Sequence, residues 1–458
     1  MNPLSVLPSE NDEKRTTRFV ILPEAGSPEA LVPDRTDLRS VLTFRRSCLR
    51  QDDSGCPWQD DNGCLRRAGS SLRALLAKAR AVIVFLLVAG MLGVGGCSAP
   101  ASNAQGGLGN GWKPESSMAL AYAQKFGVDY YRDGLALISI QSGTDTDRYL
   151  VVPEGGSVPS GIAADITVLR QPLTNLYVAA SATMSLFAAL DSLSAVRFSS
   201  VQADSWYVPA AKQAMESGQI VYGGKYSTPD YELILQAKPG LTVENGMIYH
   251  SPEVKEKLES LGIPVLVEQS SYESHPLGRT EWIKVFGVLM GKEEAAERIF
   301  DQQRAQLDAL AGQADTGKTV AFFYISSAGY VVTRKSGDYI PAIIRLAGGE
   351  YIFSNLGDAG ATSTVNLEME QFYAQARQAD FIIYNSTVGG DLASIADLLA
   401  LSPLLADFTA VQTGQVWSTD KDFYQDMTGL GTMITDIHEM LTKGDSAPDQ
   451  LNFLHRLH

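Results

Sequence analysis

Eight side chains between residues 206 and 417 have the chemistry to grip a ligand: Trp206, Tyr207, Tyr249, His250, Tyr330, Arg334, Asn385 and Trp417. Aromatic faces pack on flat or apolar ligand surfaces, and a guanidinium pairs with a carboxylate or another anion. Each borders a short apolar run that reads as a β-strand. In open α/β sheets, loops at the carboxyl ends of the strands form the ligand crevice. Holding a ligand this way needs no covalent step, and the chain contains no GxSxG, HExxH or GxGxxG string. No resident cofactor is expected. His275 stands beside Pro276 at the mouth of a helix, and His438, His455 and His458 fall in a final helix and tail. Their spacing builds no metal cluster.

With 458 residues and 45% hydrophobic content, the chain can bury more than one core. Residues 66–80 carry five basic residues and no acid, and residues 81–92 carry no charge. A basic stretch followed by a short apolar one reads as a secretory signal. Twelve apolar residues fall short of the roughly 20 that span a bilayer. Gly95-Gly96-Cys97 follows. A small-residue pair before a cysteine resembles the lipobox of bacterial lipoproteins, in which the cut exposes the cysteine for lipidation. The expectation is a signal at 66–96, a lipidated Cys97, a Gly-rich tether at 97–112, and a membrane-anchored, extracytoplasmic protein. Residues 1–65 precede that signal, and the expectation is either that translation starts later, at a non-Met codon near Leu65 or Leu72, or that the segment is a disordered extension lost with the signal. The first 96 residues hold 13 of the 37 Lys+Arg and 11 of the 52 Asp+Glu, so 24 basic and 41 acidic residues remain, a net of −17. Such acidity argues against nucleic acid as a partner. Cys48, Cys56 and Cys64 lie in the extension, and no cysteine follows Cys97, so no disulfide supports the fold.

The elements that must position the candidate residues alternate. Strands are expected at 136–142, 149–153, 166–169, 176–180, 196–201, 220–222, 241–243 and 264–267, and helices at 182–193, 208–217, 230–237 and 253–261. The alternation resumes with strands at 319–325, 330–333, 381–384 and 416–418 and helices at 340–346, 367–376, 392–399 and 424–441. This pattern predicts the α/β class, with open, mostly parallel sheets covered by helices on both faces. Between the two series, residues 279–290 read as one helix and residues 292–311 as another. The latter puts Ala296, Ile299, Phe300, Leu307 and Leu310 on one face and charges on the others. At 1.5 Å per residue it is about 30 Å long, ended by Gly312. The reading is two doubly wound α/β lobes, 113–290 and 313–443, joined by one long rigid helix at 291–312, with the ligand cleft between lobes and a tail at 444–458.

Five segments then carry a resemblance: PDYELILQAKPGLTV, SPEVKEKLESLGIPVLVE, HPLGRTEWIKVFGVLMGKEEAAERI, GDYIPAIIRLAGGEYIF and LLADFTAVQTGQVW. In this order, behind a lipobox, they resemble the substrate-binding proteins of bacterial ABC importers for iron-siderophores, haem and cobalamin, over roughly residues 196–441. The resemblance implies two lobes bridged by a single helix, where 292–311 sits, and a shallow cleft that closes little because a rigid helix resists bending. It implies capture of a chelated iron compound, a ferric siderophore first and haem or cobalamin next, and its delivery to an ABC permease with its ATPase subunits. Lys225, Arg334 and the tyrosines suit an anionic ferric chelate, and His250 has the chemistry of an axial haem ligand. One acidic residue on each lobe would dock on the permease: Glu253, and Asp391 where the family pattern carries Glu. The protein would then not be an enzyme. A rival reading is a lipid-anchored two-lobed enzyme using Glu273, His275 or Asp338 as acid or base, and a third is a surface lipoprotein with an empty cleft.

Overall fold

The computed structural model describes residues 107–109, 111–357 and 363–458. The extension, the signal, Cys97 and most of the tether lie outside the described residues. The first sheet contains β1 (Ser116–Ser117), β2 (Phe126–Tyr130), β3 (Ala136–Ser142), β4 (Asp145–Val152) and β5 (Ile166–Arg170) in that spatial order. All neighbours are antiparallel except β4 and β5. Side chains alternate across a strand, and here both faces are covered. Ile138, Ile140, Tyr149 and Val151 enter the core of the following α/β unit, while Leu137, Leu150 and Val152 pack with Tyr131 and Leu135 on the other side. This meander differs from the expected parallel arrangement, because a two-residue turn joins β3 to β4 where a parallel pair needs a crossover.

The second sheet is parallel throughout. It contains β6 (Leu176–Val178), β7 (Val196–Ser199), β8 (Val221–Tyr222), β11 (Thr242–Asn245) and β12 (Val265–Glu268), in the order β12-β11-β6-β7-β8, with a small hairpin of β9 (Gly224–Lys225) and β10 (Thr228–Pro229) beside it. Helices Met184–Ala189, Pro209–Glu216, Tyr231–Ala237 and Pro252–Ser260 connect its strands. Asp230 caps the third of these by accepting the Leu233 N–H at 3.0 Å.

The third sheet is built from β13 (Lys318–Ile325), β14 (Val331–Arg334), β15 (Gly349–Tyr351), β16 (Thr364–Leu367), β17 (Phe381–Tyr384), β18 (Val416–Thr419) and β19 (Leu454–Arg456). Its order is β16-β14-β13-β17-β18-β19, and β15 also pairs with β13. Two expectations are corrected here. Leu367 closes a strand, and its helix is Met369–Ala376. The segment expected to trail as a tail supplies β19, antiparallel to β18, with Leu454 and Leu457 buried in this core.

Three helices lie between β12 and β13: Pro276–Glu281, Ile283–Met290 and Glu293–Asp308. Gly291, at φ +64°, separates the last two. The third helix has 16 residues, about 24 Å, and it ends at Asp308 rather than Ala311, the chain continuing through a turn closed by Leu310 N–H to Leu307 O and Ala311 N–H to Asp308 O. Ala296 and Phe300 are buried in the core of the second sheet, while Leu307 and Leu310 pack on that of the third. Two buried carboxylates tie this junction to the first sheet. Glu281 accepts the N–H groups of Ala121, Tyr122 and Ala123, each at 2.8 Å, and pairs with Lys284 at 3.2 Å. Glu273 accepts those of Gln124 and Lys125 at 2.9 Å and Trp282 Nε1–H at 3.1 Å.

Candidate functional site

The carboxyl ends of the parallel strands in the second and third sheets meet across a seam. After β18, residues 420–428 lace into the first lobe. Gln425 Oε1 accepts the Tyr207 N–H at 2.9 Å, and its Nε2 donates to Ser205 O at 2.9 Å. Met427 N–H donates to Ser185 Oγ at 3.1 Å, Thr280 Oγ1 donates to Met427 O at 2.8 Å, and Met427 Sδ accepts from Ser270 Oγ at 3.7 Å. Met427 is buried among the core residues of the first lobe. Farther along, the Arg279 guanidinium lies 3.8 Å from the Tyr339 ring centroid, a cation–π contact between lobes.

Around this seam the first lobe presents Tyr207 after β7, Tyr249 and His250 after β11, and Tyr272 after β12, all exposed. Tyr249, 44% exposed, has its hydroxyl 2.7 Å from Ser142 Oγ and accepts from Gln269 Nε2 at 2.9 Å. The second lobe contributes exposed Tyr330 and a cluster around Tyr424. Arg334 Nη2 donates to Tyr424 Oη at 2.6 Å with the guanidinium 5.1 Å from that ring, and Asn385 Nδ2 donates to the same hydroxyl at 3.0 Å. Arg334 also stands 3.9 Å from Asp338. Lys421 lies 5.6 Å from the Tyr207 ring of the opposite lobe.

Two of the eight residues sit elsewhere, and a third, Asn385, lies at the seam but is only 1% exposed, so it acts on the site through the Tyr424 hydroxyl. Trp206 is 1% exposed and Trp417 is fully buried, each inside the core of its own lobe, so neither offers surface to a ligand. Trp206 lies in the loop after β7 and Trp417 within β18, and each indole packs inward, under Arg456 in the case of Trp417. Tyr424, Lys421, Tyr272 and Gln269 escaped the sequence reading. The rule that ligands meet the carboxyl ends of strands finds all four, since they follow β18 and β12.

A model of the periplasmic binding protein family matches residues 179–423, more than half of the chain. The chain belongs to that family. This periplasmic binding protein is 25% identical over 340 residues to an uncharacterized lipoprotein of Methanocaldococcus jannaschii, covering 69% of this chain and 79% of the relative. A second uncharacterized lipoprotein of that organism is 24% identical over 314 residues, 66% of this chain and 77% of the relative. Among solved structures, a periplasmic binding protein from Veillonella parvula superposes with a TM-score of 0.50 at 18% identity, over 67% of this chain and 96% of that one, and shows the same two-lobed α/β fold. A periplasmic haem-binding protein of Vibrio cholerae gives 0.49 at 20% identity, over 59% and 99%.

In this periplasmic binding protein the residues of the enzyme reading have structural work. Glu273 holds backbone N–H groups as described, and burial raises its carboxyl above the usual range. His275 Nδ1 accepts the Leu277 N–H at 3.1 Å, its ring stacks on Tyr122 at 4.1 Å, and burial lowers its pKa. Asp338 caps helix Tyr339–Leu346 through the Ile340 N–H at 3.1 Å. Glu253 is exposed in the first turn of helix Pro252–Ser260, where the dipole favours a carboxylate. Asp391 is exposed and ion-paired with Lys421, ahead of Ser394, which caps Ile395–Leu401.

Residues 312–319, GQADTGKT, have the GxxxxGK[ST] spacing of a phosphate loop. That motif works between a strand and the N-terminus of a helix; here a helix precedes it and β13 follows. Its Lys318 pairs with Asp380 at 3.2 Å, and Thr319 donates to the same carboxylate from its hydroxyl at 2.9 Å and its backbone N–H at 2.8 Å, which ties the start of β13 to the residue before β17. Among the described residues, no three His, Cys, Asp or Glu side chains converge as metal ligands, and no helix is long and apolar enough to cross a membrane.

Proposed function

We propose that this chain is a lipid-anchored, extracytoplasmic receptor that captures a chelated iron compound between its lobes and delivers it to an ABC permease. The observation that carries the reading is that exposed Tyr207, Tyr249 and Tyr272 follow strands of one lobe while Tyr330 and the Arg334–Tyr424–Asn385 cluster follow strands of the other, with Gln425 and Lys421 linking the second lobe to Tyr207. Hydroxyl groups of this kind suit the oxygen-rich rim of a ferric siderophore, and the guanidinium beside Tyr424 suits its net negative charge. Glu253 and Asp391, exposed on separate lobes, are the carboxylates placed for the permease. Cys97, behind its lipobox string, carries the anchor. Binding without turnover distinguishes this role from the enzyme reading.

Titration of intrinsic fluorescence with ferric catecholate and hydroxamate chelates, haemin and cyanocobalamin tests the proposal. Saturable quenching by one class, a ferric chelate first, is the expected result. Flat curves for every compound would sink the receptor reading, and saturation by haemin or cyanocobalamin alone would redirect the ligand while keeping the role.

A further inference from the structure

We propose that the turn between β3 and β4 forms a wall of the ligand crevice, with Ser142 as the residue that positions Tyr249 and sets its hydrogen-bonding role. The inference rests on the receptor reading above and adds a residue from outside the span that the family model matches. The first sheet reaches this place through defined contacts. Tyr149, on β4, donates its hydroxyl to Val265 O at 2.9 Å, fastening the meander to edge strand β12. Asp147 on the same strand is half-buried among Lys255 and Glu259 of helix Pro252–Ser260. The turn itself is tight, with Ser142 paired to Asp145 and Gly143 at φ +60° in the first of the two loop positions. A two-residue hairpin with positive φ there favours glycine. The hairpin tip is therefore held where β11 and β12 end, and Ser142 meets the Tyr249 hydroxyl.

The chemistry follows from counting protons. A phenol has one proton to give and two lone pairs to share. The Gln269 amide N–H fills one lone pair. The Ser142 hydroxyl rotates, so it can take either remaining role. When it donates, Tyr249 is left with its proton aimed at a ligand oxygen; when it accepts, Tyr249 keeps a lone pair for a ligand N–H or O–H. Held by two partners, an exposed ring keeps one orientation. The ligand class this favours is a metal chelate with hydrogen-bonding groups on its rim, over a purely apolar macrocycle face.

The test uses the full-length chain with a ferric tris-catecholate, haemin and cyanocobalamin as probes, and the variants Ser142→Ala, Ser142→Thr, Tyr249→Phe and the Ser142→Ala/Tyr249→Phe pair. Ser142→Ala is expected to weaken the bound probe about three- to ten-fold, the worth of one neutral hydrogen bond, with an unchanged melting temperature. Ser142→Thr should restore most of that loss, and the pair should bind no worse than Tyr249→Phe alone, because both substitutions remove the same interaction. Full affinity in Ser142→Ala beside a weakened Tyr249→Phe overturns the positioning role while leaving the receptor reading intact, and so does simple additivity in the pair. A parent chain that binds none of the probes overturns both.

Discussion

At the scale of single residues, carboxylates hold this molecule together more than its surface ion pairs do. Glu281 is fully buried, accepts three backbone N–H groups and pairs with Lys284. Removing one partner of such a buried set strands the others, so Glu281→Ala is expected to lose about 3–5 kcal/mol in a denaturant titration. Asp422 behaves in the opposite sense. Burial first, then the nearby Asp426 and Asp420, push its pKa up to about 6 from 3.8. The folded state thus binds this proton more tightly than the unfolded chain, and the group's contribution to stability falls as pH rises from about 4 to about 6. Asp422→Asn should therefore melt higher than the parent at pH 7, with the difference shrinking as the pH is lowered toward 4. A constant difference across that range would show that Asp422 does not titrate in it. The sequence disclosed which residue types cluster near strand ends, but not which way each one faces. Trp206 and Trp417 are core residues despite their aromaticity, while Tyr424, inside an expected helix, offers its hydroxyl to Asn385, and Gln269, beside a strand, donates its amide to the Tyr249 hydroxyl.

Elements tell a similar story. The helix Glu293–Asp308 was legible because a charged outer face and an apolar stripe repeat at helical spacing. Strand β3 was legible over 136–142, but its antiparallel pairing was not, since it is covered on both faces and lacks the polar alternation that marks a half-exposed antiparallel strand. β19 was missed for a different reason: three residues are too few to show any period. Packing between elements is beyond a sequence reading altogether. Helix Leu430–Lys443 approaches the connecting helix so closely that a methyl at Gly431 would collide with the Gln303 carbonyl. Gly431→Ala is expected to lower stability by about 1–3 kcal/mol through overpacking. An unchanged denaturant midpoint would mean that the two helices separate freely.

For the whole molecule, the acidic charge and the cysteine pattern were readable without a structure, and they bear on where the protein acts. If Cys97 carries a lipid, the parent chain should partition into the detergent phase on Triton X-114 separation and Cys97→Ala into the aqueous phase. Equal partitioning would remove the anchor from the proposal. Ligand identity is less accessible, because it depends on loops of both lobes whose separation is set by contacts hundreds of residues apart in sequence.

Met427 belongs by chain position to the second lobe and by packing to the first. Unfolding of the second half would therefore withdraw a buried side chain from the interior of the first. Calorimetry should record one cooperative endotherm for residues 107–458, with van't Hoff and calorimetric enthalpies in agreement, where two independent halves would give two.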